Sequence, residues 1–262
     1  MKFAKKSLGQ NFLVDLNILK KISNLTNLCG KDVIEIGPGK GALTDQILKF
    51  NPKSLILIEK DDVLCNELNL KYLKNNKIKI FNNDILKFNL EKISKQSTVI
   101  LGNLPYNISS QILIKIIRFK KWPPKYLSII FMFQKEMADR ITGKYGTSNY
   151  GRLSILTDYR LSIDSKFNVS PNCFFPKPKV DSTVLHFIPK KKVLPKIKNI
   201  ENLEKITNLF FSNRRKMINK NIKKIFKDYN EIDLIKDLNI NLRPSELEPK
   251  KYFEITECFE KI

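Results

Sequence analysis

Histidine, arginine and paired cysteine are all scarce in this 262-residue chain, and each scarcity narrows the chemistry open to it. The single histidine, His186, sits inside the apolar stretch Val184-Leu185-His186-Phe187-Ile188, where it reads as a strand residue. Serine-hydrolase triads and histidine-rich metal sites therefore drop out, and any catalysis has to proceed without imidazole. The four cysteines, Cys29, Cys65, Cys173 and Cys258, lie far apart with no CxxC pair. That spacing indicates neither a zinc site nor a disulfide framework, and it suits a reducing, cytoplasmic setting. The longest apolar stretch, Leu127 to Phe133, is far short of a membrane span. Met1-Lys2-Phe3-Ala4-Lys5-Lys6 lacks the apolar core of a signal peptide. No metal and no membrane partner are expected.

Acidic residues are also in short supply: 26 Asp and Glu stand against 48 Lys and Arg, a formal charge of +22. Such a surplus favours a polyanionic partner, because each phosphate neutralised releases counterions. Lysine abundance alone could reflect coding bias, so placement matters more than the total. Residues 190–227 carry 13 Lys and Arg against Glu201 and Glu204, whereas residues 228–262 carry five basic and nine acidic residues. A uniform bias would not reverse sign in this way. A second basic patch, six lysines against Asp15, occupies the first 31 residues.

With 42% hydrophobic residues the chain can bury a core. Val33–Ile36, Ser54–Glu59, Ile78–Phe81, Thr98–Gly102 and Leu127–Phe133 read as buried strands. Ala42–Phe50, Asp61–Leu73, Ser109–Phe119 and Lys135–Ile141 read as the helices between them. This alternation predicts an α/β, Rossmann-like fold with a mainly parallel sheet covered on both faces. Ile163–Val169 and Asp181–Ile188 add two further strands. Pro189-Lys190-Lys191-Lys192 then breaks the pattern, giving domains of 1–189 and 190–262. The second is expected to be all-helical, with Leu203, Ile206, Phe210, Met217, Ile218, Ile222, Ile225 and Phe226 on one apolar stripe.

The loop after the first of these strands reads Glu35-Ile36-Gly37-Pro38-Gly39-Lys40-Gly41. Its G-x-G-x-G spacing misses the dinucleotide fingerprint by one residue and lacks the GK[ST] ending of a P-loop. Glu35 would repel a pyrophosphate but suits a cationic ligand, which favours S-adenosylmethionine with its sulfonium and amino groups. A purely structural glycine turn is the plain alternative. Two acids at successive strand ends strengthen the cofactor reading. Glu59 can accept both ribose hydroxyls, and Asp84 can accept from an adenine amino group. Either acid alone reads as a solvated loop residue, but ligands of open α/β sheets bind where the strands' carboxyl ends converge.

Asn103-Leu104-Pro105-Tyr106 follows the fourth strand. Methylating an exocyclic adenine amine requires exposing a lone pair that is delocalised into the ring. An amide oxygen from Asn103 and the carbonyl of Leu104 could accept the two N–H hydrogens and favour pyramidalisation. Pro105 stiffens the loop, and Tyr106 offers a stacking face for an extruded base.

With these motifs in place, the sequence resembles the KsgA family of small-subunit rRNA adenine N6,N6-dimethyltransferases. The resemblance runs from Gly9-Gln10-Asn11-Phe12-Leu13 through both motifs. It continues with Gln134-Lys135-Glu136, Tyr150-Gly151-Arg152-Leu153-Ser154 and Phe175-Pro176-Lys177-Pro178-Lys179-Val180-Asp181-Ser182. Arg214-Arg215-Lys216 and Arg243-Pro244-Ser245-Glu246-Leu247 complete it. It implies that Asn11 and Leu13 line the cofactor pocket, with Gly37 on the methionine side, and that Glu59, Asp84 and Asn103 hold ribose, adenine and reacting end; Gly39 of the same loop is a further cofactor-binding candidate. Phe174 or Phe175 would be a second aromatic facing Tyr106. The implied activity is dimethylation of two adjacent adenosines near the 3′ end of 16S rRNA, late in assembly of the 30S subunit. The chain would act as a monomer, its helical domain docking the RNA. A large-subunit rRNA methyltransferase and a non-catalytic RNA-binding assembly factor are the rival readings. Thr at the position of Pro38 would favour the former, and intact Glu59, Asp84, Asn103 and Tyr106 argue against the latter.

Overall fold

A computed structural model describes residues 10–226 and 235–262. Gly9, the lysines at 2, 5 and 6, and the charged residues at 227, 228, 231 and 233 singled out above lie outside them. Cα packing divides the chain into two compact units, one of residues 1–138 and 163–189, the other of residues 139–162 and 190–262. The pattern break at Pro189 thus coincides with a change of unit, while residues 139–162, placed in the first domain by the linear reading, pack with the second.

The first unit holds β1 (Phe12–Leu13), β2 (Asp32–Ile36), β3 (Ser54–Glu59), β4 (Ile78–Asn82), β5 (Thr98–Asn103), β6 (Tyr126–Gln134), most of β7 (Leu161–Val169), β8 (Phe174–Phe175) and β9 (Ser182–Pro189). Seven of these form a mixed sheet in the order β4-β3-β2-β5-β6-β9-β7. β2, β3, β4, β5 and β6 pair in parallel, and β9 joins antiparallel to β6. The alternation of strand and helix therefore gave the sheet correctly, with an antiparallel edge added. Strand order reverses at β2, whose neighbours β3 and β5 lie on opposite sides, and crevices of such sheets open there.

Burial on both faces explains why the strands read as unbroken apolar runs. Val33, Leu55, Leu57, Val99 and Leu101 join a core with Leu19 and Ile22 of α1 (Leu16–Ser23), Leu43 and Ile47 of α2 (Ala42–Leu48) and Leu68 of α3 (Asp62–Lys71). Ile34, Ile58 and Ile100 alternate to the opposite face and are buried as well. The helices start where side chains satisfy their first N–H groups. Asp15 accepts from Asn17 and Ile18, and Asp61 from Val63 and Leu64. A separate two-stranded sheet pairs β1 with β8, matching Phe12 to Phe175 and Leu13 to Phe174. That pairing, and α1, were not read from the sequence.

In the second unit, α7 (Arg152–Arg160), α8 (Ile200–Phe211) and α10 (Pro249–Phe259) pack through aromatic rings. Tyr252 lies 5.6 Å from Phe210 and 6.0 Å from Phe211, and Tyr159 lies 4.8 Å from Phe253. Each buried phenol finds a carbonyl: Tyr150 donates to Leu247, Tyr159 to Pro195 and Tyr252 to Pro244. The expected stripe over 203–226 is interrupted. α8 stops at Phe211, α9 (Asn219–Ile222) is one turn long, and Met217 between them is exposed. Ser212 caps α8, its N–H donating to Asn208, and residues 212–217 that follow are all exposed, so no apolar face holds a further turn against the core. Among the described residues no helix is long and apolar enough to cross a membrane.

Phe131 is fully buried in β6, edge-on to Phe133 at 6.3 Å. Truncating it (Phe131→Ala) is expected to cost ~3–5 kcal/mol of stability, read from the urea midpoint, because the surrounding sheet cannot collapse into the void.

Candidate active site

The carboxyl ends of β2, β3, β4 and β5 open onto one cleft with about 1190 Å³ of empty space, its mouth included. Ten of the twelve residues singled out in the sequence line it: Asn11, Leu13, Glu35, Gly37, Gly39, Glu59, Asp84, Asn103, Leu104 and Tyr106. Phe174 and Phe175 do not. Phe174 is 4% exposed and packs into the core, whereas Phe175 is 59% exposed and pairs with Phe12, itself a wall of the cleft.

The glycine loop is shaped by what rests on it. Gly39 has φ +59°, and a Cβ there would stand 2.9 Å from the Phe12 ring. Gly41 has φ +79°, and a Cβ would meet the Tyr72 hydroxyl at 2.5 Å. Neither position admits a side chain without displacement. Tyr72, the residue after α3, donates to Asp45 at 2.7 Å with the Gly41 carbonyl 3.1 Å from the same hydroxyl, tying the loop's end to the next crossover.

The three acids occupy different electrostatic environments. Glu35 is fully buried and accepts from the Thr44 hydroxyl at 2.6 Å. Burial pushes its carboxyl up to about 8, against a smaller opposing effect from Thr44. Glu35 therefore does not repel anions as the standing charge expected from sequence: at neutral pH it is mostly protonated until a cation neighbours it. Glu59 is also pushed up by burial, even though the N–H groups of Asp61, Gly39 and Lys60 oppose the shift. Its Oε1 accepts from Lys60 and Asp61 and its Oε2 from Gly39, so three of about four acceptor positions are already in use. A grip on two ribose hydroxyls would require the Gly39 bond to be shared or released. Asp84 is held below its ordinary range by Lys60, whose ammonium donates at 2.9 Å, and the Leu86 N–H binds its other oxygen.

At the tip of β5 the arrangement is different. Asn103 donates through Nδ2 to the Asn11 carbonyl at 3.0 Å, which fixes the amide and leaves Oδ1 without a partner among the described residues. The Leu104 carbonyl likewise accepts no hydrogen bond from a described residue. Two unused acceptors therefore stand on adjacent residues, beside the half-buried Tyr106 ring. His186 is remote from this chemistry, buried on β9 with Nδ1 3.1 Å from Asp164. Among the described residues no cluster of three or more His, Cys, Asp or Glu side chains could hold a metal ion.

The family model described as ribosomal RNA adenine dimethylase matches residues 1–261. The chain belongs to the ribosomal RNA adenine dimethylase family. Among its relatives, the protein named ribosomal RNA small subunit methyltransferase A of Pelagibacter ubique is 46% identical over 259 residues, 99% of this chain and 98% of the relative. Its namesake in Agrobacterium fabrum is 40% identical over 228 residues, 85% and 81% of the two chains. A solved dimethyladenosine transferase from Plasmodium falciparum superposes with TM-score 0.79 at 26% identity, covering 95% of this chain and 98% of that one. The 23S rRNA methyltransferase ErmE shares the fold, with TM-score 0.70 at 22% identity over 95% and 99%.

As an adenine dimethylase family member, the chain is an S-adenosylmethionine-dependent methyltransferase. The cleft fits that cofactor: polar Glu59, Asp84 and Asn103 at three strand ends line it, and apolar Leu13, Ile36, Ile58, Leu64 and Ile85 line the rest. Several side chains outside the predicted set support these residues. Phe12 covers Gly39, Thr44 holds Glu35, Lys60 holds Asp84 and Tyr72 holds the loop. Phe12 alone stood inside a quoted motif; the other three carry no local signal.

Two outcomes follow for this dimethylase. Gly39→Ala is expected to weaken S-adenosylmethionine binding at least about tenfold by calorimetry, since the left-handed backbone and the Phe12 contact both resist a methyl group. Glu35 takes up its proton more tightly folded than unfolded, so stability without ligand should fall as pH rises from about 4.5 through about 8. One such group contributes a slope of at most ~1.4 kcal/mol per pH unit. Urea titrations at several pH values should show that slope in the native chain and a flatter one in Glu35→Gln.

Proposed function

We propose that this methyltransferase dimethylates the N6 amines of two adjacent adenosines in the 3′-terminal hairpin loop of 16S rRNA. It would act as a cytoplasmic monomer on the assembling 30S subunit. The observation that carries the chemistry is the pair of unused acceptors, Asn103 Oδ1 and Leu104 O, next to the Tyr106 ring. The choice of small-subunit RNA is supported by relatives of that name at 46% and 40% identity.

Bound in the cleft, S-adenosylmethionine would supply an electrophilic methyl group on sulfur. Glu59 would accept from the ribose, Asp84 from the cofactor's adenine amine, and the Glu35 side would meet its cationic end. An adenosine extruded from the RNA would stack on Tyr106. Asn103 Oδ1 and Leu104 O would each accept one N6 hydrogen, drawing the nitrogen out of conjugation with the ring. The N6 lone pair would form the new C–N bond as the S–CH3 bond breaks, releasing S-adenosylhomocysteine, and the methylated amine would lose its proton to solvent, so positioning rather than a strong base supplies most of the acceleration. Of the two candidate second aromatics, Phe175 suits a stacking role because its ring is exposed, whereas Phe174 is held in the core.

The basic groups of the second unit would track RNA phosphates. Arg214, Arg215 and Lys216 stand exposed on the connection between α8 and α9. Phosphate contacts fix register and orientation, leaving the shape of the subunit to set the target.

Labelled cofactor incubated with small subunits that lack the modification should transfer label, and digestion should yield dimethyladenosine from the hairpin. Transfer confined to naked large-subunit rRNA would overturn the substrate assignment. Asn103→Ala should lower kcat by about 10²–10³, the range seen when one oriented polar group is lost from a site, with cofactor binding retained. Phe175→Ala should raise KM for RNA without lowering the melting temperature, while Phe174→Ala should lower the melting temperature by leaving a core cavity.

A further inference from the structure

Tyr106 does not stand alone at the rim of the cleft. Its hydroxyl shares a 2.6 Å hydrogen bond with Ser182 Oγ, on the first residue of β9. Ser182 is completely buried and paired in register with Gln134 of β6, so its position is fixed by the sheet. The Ser182 side chain has no other hydrogen bond among the described residues. Tyr106, in contrast, lies on a loop between β5 and α5 (Ser109–Ile117), where it is only half buried. A short bond thus links a loop side chain to a sheet strand across 76 positions of sequence.

We infer that Ser182 is the positioning residue for Tyr106, holding its ring at the orientation in which a target adenine stacks and reserving its hydroxyl from any contact with that base. The inference rests on the adenosine-methylation reading and deepens it. A neutral phenol is no base for the proton released from the amine, and burial raises its pKa further above the ordinary value. Tyr106 then contributes through its ring face alone. A ring free to rotate about χ1 and χ2 would place the base in the reacting position for a smaller share of encounters, and transfer would slow without any change in cofactor binding.

Ser182→Ala and Tyr106→Phe cut the same bond from opposite ends, and Tyr106→Phe keeps the ring. Each is expected to lower kcat/KM for unmodified small subunits by about three- to tenfold, the effect of one neutral hydrogen bond. The dissociation constant for S-adenosylmethionine, measured by calorimetry on the same preparations, should stay at the native value. The double variant should be no slower than either single one, because the bond can be lost only once. Tyr106→Ala, which removes the stacking face, should be far slower than all three. Native kcat/KM in a folded Ser182→Ala would overturn the inference and leave the methylation reading standing. Multiplying effects in the double variant would also overturn it, since the two side chains would then act separately. An inactive native chain would overturn the methylation reading itself.

Discussion

Parallel strand direction is the constraint on which the rest of this molecule depends. Because β2, β3, β4 and β5 run the same way, their carboxyl ends and the loops that follow emerge along one edge of the sheet. The register keeps those ends level: Glu35 lies beside Leu57 and Leu101, and Glu59 beside Asn82. Glycine turn, ribose-binding candidate, adenine-binding candidate and the Asn103 loop are therefore delivered to one cleft by backbone hydrogen bonds alone. The strand reversal at β2 keeps crossover connections from closing over that edge.

Within the cleft, burial and hydrogen bonding divide the work among polar groups that look equivalent in sequence. The same desolvation that raises Glu35 and Glu59 is outweighed at Asp84, which is more open to solvent and faces Lys60. Carboxylates that already accept from the chain's own N–H groups brace the glycine loop as well as facing a ligand. Asn103 is arranged the other way, its amide nitrogen engaged and its oxygen left over. A site built on aimed acceptors and ring faces is consistent with a chain whose one histidine is buried in a strand.

Much of the sheet was legible because strands buried on both faces appear as short unbroken apolar runs, with Ile34, Ile58 and Ile100 facing one way and their neighbours the other. The glycine loop and Asn103-Leu104-Pro105-Tyr106 were legible because each follows such a run directly. β1 and β8 were not, since two-residue strands are too short to show alternation and their partners are more than a hundred residues apart. The break after Phe211 was hidden for another reason: the apolar spacing continues through 217 and 218, but Met217 is exposed and gives a further turn nothing to pack against.

Local order of apolar runs, glycines and strand-end polar residues determined the fold class and the placing of Asn103, Leu104 and Tyr106 just after a strand, because both are encoded by neighbours along the chain. Tertiary structure decided what depends on distant partners. It made Phe175 the exposed ring and Phe174 the buried one, placed Ser182 against Tyr106, and set the proton affinity of each carboxyl. Exposure and charge state are properties of the surrounding medium, and that medium exists only once remote segments have packed around the residue.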